Sequence, residues 1–113
     1  MLNQIVLVGR LVRDPEVKKA KNGTTYSHIT LAVPRSYKNV NGEYETDFID
    51  CTLWHLMAAN TKEYCHKGDI VGVKGRIESR VYEKDDEKKY LTEVIAEKIT
   101  FLSSNSNAKA EEV

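Results

Sequence analysis

This 113-residue chain has only two cysteines, two prolines and one tryptophan, and its charges cancel. Cys51 and Cys65 are too few for a disulfide framework and fit a reducing compartment. Zinc is no better supported. Cys65-His66, with Cys51 and His55 upstream, supplies neither a C-x-x-C pair nor two histidines at ligand spacing. Cys51 also falls on the apolar side of its strand, so packed thiols are the better reading. Seventeen basic and seventeen acidic groups balance, which removes the overall field that draws a protein to duplex DNA or an anionic membrane. A local basic patch survives such a balance. No apolar run approaches a membrane span. The opening MLNQIVLVGR has no basic lead and no small-residue cleavage site. It reads as a strand, and the protein is expected to remain in the cytoplasm.

Catalytic signatures are missing too. There is no G-x-x-x-x-G-K-[ST] phosphate loop, no G-x-S-x-G elbow and no H-E-x-x-H pair. Gly68, Gly72 and Gly75 fit a turn and close packing in a curled strand better than a phosphate cradle. His28, His55 and His66 have no nucleophile visibly paired with them. The chain therefore reads as a non-enzyme that needs neither a metal nor a cofactor.

What is present is a succession of strands in an ordinary globular composition, 41% apolar and 30% charged. Asn3 to Val12 is apolar on both faces, with Ile5, Leu7 and Leu11 on one and Val6, Val8 and Val12 on the other. Such a strand lies deep in a sheet or against another chain. Asp14-Pro15 breaks it and Asn22-Gly23 marks a turn. The second strand runs from Thr25 to Val33, and Pro34 suggests an edge or bulge beyond which parity need not carry over. Lys38 to Thr46 reads as a long hairpin loop. A helix is expected from about Leu56 to His66, with Gly68 as its stop. The fourth strand covers Ile70 to Tyr82, with Val71, Val73, Ile77 and Val81 on one face and Lys74, Arg76, Glu78, Arg80 and Tyr82 on the other. Glu83 to Lys89 reads as a charged loop. Tyr90 to Leu102 forms the fifth strand, with a bulge suggested near Val94-Ile95-Ala96. Three strands, a helix and two strands make an all-β, five-stranded Greek-key barrel with one α-helix between strands three and four, the OB arrangement. Residues 1–102 form this domain, and residues 103–113, small and polar, read as a short disordered C-terminal tail.

Phe48 to Trp54, FIDCTLW, poses the functional question. Ile49, Cys51 and Leu53 share an apolar side, whereas Phe48, Asp50, Thr52 and Trp54 share a side that Asp50 and Thr52 mark as wet. Two large aromatics thus stand where water is expected. Tyr82 shares the polar side of its strand with Lys74, Arg76 and Arg80, and Tyr37 lies between Arg35 and Lys38. Aromatic faces stack on unpaired bases whatever the sequence, and basic groups between them neutralise the phosphates. The alternative is that such rings make cross-strand pairs, cover a helix or sit at an oligomer interface. Four rings near basic groups on three strands favour a platform for single-stranded nucleic acid. Asp50 would repel a phosphate chain, so it is expected to be paired with a basic residue or turned aside.

NQIVLVGRLVRDPEV (3–17), NGTTYSHITLAV (22–33), KGDIVGVKGRIESRVYE (67–83) and YLTEVIAEKITFL (90–102) resemble, in order, the strands of the bacterial single-stranded DNA-binding protein family. With FIDCTLW the resemblance covers nearly all of residues 2–102. It implies an OB-fold homotetramer that binds and protects single-stranded DNA in replication, recombination, repair or DNA uptake, in the cytoplasm and on the nucleoid. Family stacking positions fall on Tyr37, Phe48, Trp54 and Tyr82. Phosphate contacts are assigned to Lys38, Lys67, Arg76 and Arg80, with Arg10, Arg35 and Lys74 next. Many members end in an acidic, hydrophobic tip that recruits replication and recombination proteins. Ala-Lys-Ala-Glu-Glu-Val is a weak echo of it, so a short-tailed accessory or mobile-element form with little recruitment is expected. The runner-up reading is an OB-type assembly module, like the family's primosomal relatives, that docks proteins at forks.

Overall fold

The structure is a computed structural model and describes residues 1–104. Its elements are β1 (Ile5–Leu11), β2 (Lys18–Lys19), β3 (Thr25–Lys38), β4 (Tyr44–Trp54), α1 (Leu56–Tyr64), β5 (Ile70–Lys84) and β6 (Glu87–Ser103). β2 is a two-residue piece paired with β3, so the five main strands are those expected and the helix follows the third of them. Neighbours run β1-β5-β6-β4-β3, and β1 also pairs with β3, which closes the barrel. The β4–β6 junction is parallel and short, with Cys51 opposite Val94 and Thr52 opposite Ile95. The other pairings are antiparallel. This is the OB-fold.

Alternation builds the interior. Leu11, Ile29, Leu31, Cys51, Leu53, Val71 and Val73 are almost wholly buried, and Ala58 of α1 and Cys65 after it join the same cluster. Both thiols are therefore packed in the core. Two glycines let the strands close. A methyl group at Gly75 would overlap the Ile95 carbonyl oxygen, and one at Gly9 would press on the Ala32 carbonyl, where β1 approaches β3. Gly72, by contrast, is not tightly enclosed.

Several boundaries differ from the sequence expectation. β3 does not stop at Val33 but continues through Pro34 to Lys38, with the pairing slipping between Pro34 and Lys38. A bulge is where a residue without an amide donor fits a sheet. The loop expected over 38–46 shrinks accordingly to 39–43, where the Asn39 side chain accepts from the N–H groups of Asn41 and Glu43. α1 ends at Tyr64, not His66, because Cys65 is already extended and turns its thiol inward. The bulge expected in β6 occurs at its edge, where pairing slips between Lys74 and Gly75 of β5.

Glu83 to Lys89 is not a loop. Lys84 pairs with Glu87, and only Asp85 and Asp86 turn, both left-handed at φ 54° and 62°. Two such residues between paired strands make a type I′ turn. Ile77 and Val81 share the face of Val71 and Val73 but are 42% and 56% exposed, because the β5–β6 ribbon has left the barrel by then and has no core to enter. Of the tail, Ser103 still belongs to β6, and the disorder expected beyond residue 104 lies outside the described residues.

Candidate nucleic-acid interface

Register assigns the outer face. Across β3 and β4, Tyr26 stands opposite Trp54, His28 opposite Thr52, Thr30 opposite Asp50 and Ala32 opposite Phe48. Directly opposed residues share a side of the sheet. These eight therefore lie on one face, with Ile29, Leu31, Cys51 and Leu53 behind them in the core.

The β5–β6 ribbon supplies a second wall, with Glu78 opposite Glu93, Arg80 opposite Leu91 and Tyr82 opposite Lys89. Glu93 ties the walls together. One of its oxygens accepts from the Thr52 hydroxyl at 3.0 Å, and the other pairs with Arg80 at 2.7 Å. The Thr52 oxygen is also 3.1 Å from Nδ1 of His28. Thr52, expected to meet water, is consequently buried beneath this cluster. Asp50 is settled in a related way. It accepts from the Thr30 hydroxyl at 2.6 Å, and that oxygen accepts from Arg13 at 2.9 Å. The cation reaches Asp50 through a hydroxyl, and Arg13 comes from irregular chain where strand parity gave no guide.

Three of the four predicted stacking residues keep large exposed rings: Phe48 is 66% exposed, Tyr37 64% and Tyr82 48%. Trp54 is half-buried, because its ring rests 5.4 Å from that of Tyr26 with the planes 43° apart. The cross-strand alternative thus applies to Trp54 in part. Phe48 and Trp54 share the β4 face, and Trp54 lines one open pocket with Arg80, two residues before Tyr82. Tyr37 is not joined to this face by register. It lies inside the slipped segment within electrostatic reach of Arg35, while Lys38 and Tyr44 pair on the Phe48 side.

Three of the seven predicted phosphate ligands, Arg35, Arg76 and Arg80, already hold carboxylates. Arg35 donates to Glu45 at 2.7 Å and to Asp47 at 3.0 Å, which turns it to the side of β4 opposite Phe48. Arg76 donates to Glu78 at 2.6 Å and to Glu97 at 3.4 Å. The hydrogen bond from Arg35 holds the Asp47 carboxyl below its ordinary range, and the bond to Glu78 raises Arg76. Exposed pairs of this kind are screened by water and weak, so a phosphate oxygen can replace the carboxylate. Arg10 donates to the Gly68 carbonyl at 2.6 Å, and Lys38 stands 5.6 Å over the Tyr44 ring. Lys67 and Lys74 are exposed and in no ion pair among the described residues.

Sequence reasoning passed over Tyr26, His28 and Tyr44. Tyr26 and His28 alternate with the inward Ser27, Ile29 and Leu31, so parity was enough to find them. Among the described residues, no group of His, Cys, Asp and Glu could hold a metal ion, and no helix is long and apolar enough to cross a membrane.

Residues 2–102 match the model of the Single-strand binding protein family. The chain is 47% identical over 111 residues to "Single-stranded DNA-binding protein B" of Bacillus subtilis, covering 97% of this chain and 98% of the relative. It is 45% identical over 108 residues to "Single-stranded DNA-binding protein 3" of Listeria innocua, covering 95% and 68%. It is 47% identical over 103 residues to the "Single-stranded DNA-binding protein" of Halalkalibacterium halodurans, covering 90% and 61%. The chain thus spans almost all of the first relative and about two-thirds of the other two.

Proposed function

Because this chain belongs to the single-strand binding protein family, we propose that it binds and protects single-stranded DNA without regard to sequence, as a homotetramer. The observation that carries this reading is the wet face of β4. Phe48 and Trp54 present rings where a core would not need them, and the β5–β6 ribbon faces them with Arg80 and Tyr82. Bases stack on Tyr37, Phe48, Trp54 and Tyr82, while Arg10, Arg35, Lys38, Lys67, Lys74, Arg76 and Arg80 neutralise phosphates. Duplex DNA hides its base faces and cannot use such a surface. The biological setting is replication, recombination, repair or DNA uptake in a bacterial cytoplasm.

Assembly follows from β1. Val6 and Val8 stand on its outer side, opposite Lys74 and Gly72, and are 67% and 53% exposed. An apolar strand face left open in one chain is suited to cover by another copy.

Trp54, the only tryptophan, reports on the site directly. Oligo-dT is expected to quench its fluorescence, and a duplex of equal length to do so weakly. Unchanged emission together with no binding of labelled oligo-dT at low salt would overturn the reading.

A further inference from the structure

Trp54 belongs to a row of rings, with Tyr26 on one side and His55 on the other. Tyr26 packs on it, and His28 meets Tyr26 edge-on, with centroids 5.2 Å apart and planes at 65°. A cross-strand pair of this kind can be a simple brace. What lies beside the row is not explained by bracing. Tyr26, His28 and Trp54 line an open pocket whose remaining sides include Lys19, Lys21 and Arg80. Arg80 is held by Glu93, but Lys19 and Lys21 are in no ion pair among the described residues. Nor is the turn that carries them loose. The Ala20 N–H bonds to the Thr24 carbonyl and the Gly23 N–H to the Ala20 carbonyl, both at 2.8 Å, and Gly23 takes the left-handed φ of 87°. Register sets Lys19 opposite Thr25, beside Tyr26, so Lys19 and Lys21 border the pocket from this ordered turn.

We propose that Tyr26, Lys19 and Lys21 form a further nucleotide subsite, with a base on the Tyr26–Trp54 ledge and its phosphate on the two lysines. The proposal rests on the single-stranded DNA reading above and extends it. A strand leaving Trp54 continues over β3 towards the β2–β3 turn instead of ending at β4. Each element of the subsite has its own signature. A lost stacking partner lowers affinity with little change in salt dependence, whereas a lost phosphate contact reduces the salt slope by about 0.7 on single strands.

The test measures binding of labelled oligo-dT across a salt series. Tyr26→Ala is expected to weaken binding about 5- to 150-fold, the equivalent of ~1–3 kcal/mol for one stacked base, and Tyr26→Phe to preserve it. Lys19→Ala with Lys21→Ala should lower the salt slope. Irradiated oligo-dT carrying 5-iodouracil should become joined to Tyr26 as well as Trp54, which a brace would not produce. Unchanged slope in the lysine variant, or crosslinks at Trp54 with none at Tyr26, would overturn the subsite. If Tyr26→Ala loses its fold by circular dichroism, the lysine variant and the crosslink decide. Failure of the subsite leaves Phe48→Ala still weak in binding. Failure of the underlying reading shows as no binding by the unaltered protein.

Discussion

Among the four proposed stacking rings, Phe48 separates binding from folding most cleanly. Its exposure of 66% means that the core does not depend on it. Phe48→Ala is expected to cost ~1–3 kcal/mol of oligo-dT affinity, read by anisotropy, with an almost unchanged melting temperature. A large fall in melting temperature would identify the ring as a packing residue instead. Cys51 behaves in the opposite way. Burial, with the nearby Asp50 charge, pushes its thiol up to about 11, against about 8.5 in an unfolded chain. Between these values the unfolded chain gives up a proton that the folded chain keeps, so stability falls as pH rises. Cys65 shifts in the same direction, again through burial. Urea midpoints should therefore decline between about pH 8.5 and 11, and Cys51→Val, close in volume and unable to ionise, should lessen the decline. Both residues were legible in FIDCTLW, because alternate positions on a strand sort themselves by polarity. Asp50 was legible as a problem only. Its solution needed Thr30 and Arg13, which no spacing rule connects to it.

The β5–β6 ribbon shows where local pattern misleads. Residues 83–89 are charged throughout, and a charged stretch looks the same whether it is a loop or an uncovered strand. Only the two-residue turn distinguishes them, and Asp85-Asp86 is an uncommon way to write it. An aspartate at φ 62° carries a cost that glycine avoids. Asp86→Gly is expected to stabilise the protein by up to about 1 kcal/mol in urea unfolding. Destabilisation would mean that the Asp86 side chain has a bonding role. β3 teaches the same lesson from Pro34. The residue was read as a bulge, which is where the register slips, but a bulge interrupts pairing without ending a strand. Ile77 and Val81 followed the parity of β5 correctly and are exposed anyway, since periodicity gives a side and not what covers it.

The closed barrel depends on long-range pairings, β1 with β5 and β1 with β3, that no short window contains. Strand count and helix position suggested them, and the family resemblance supplied the order. The proposed tetramer belongs to this scale too, and β1 carries its test. Val8→Lys places a charge on the apolar face and is expected to reduce the solution mass from four chains to fewer, as sedimentation would show. An unchanged mass would put the assembly surface elsewhere.

The uneven distribution of rungs around the barrel has a mechanical consequence. β5 and β6 pair along most of their length, whereas β4 and β6 meet only at Cys51–Val94 and Thr52–Ile95. Like the β1–β3 join, which also has two pairs, that parallel seam is a line along which the wall would part. Trp54 and Phe48 stand on one side of it, and Arg80 and Tyr82 on the other. A nucleic-acid strand stacked on both would be a strap across a thin join, so the ligand would lend the barrel the rigidity that its own hydrogen bonds leave sparse there.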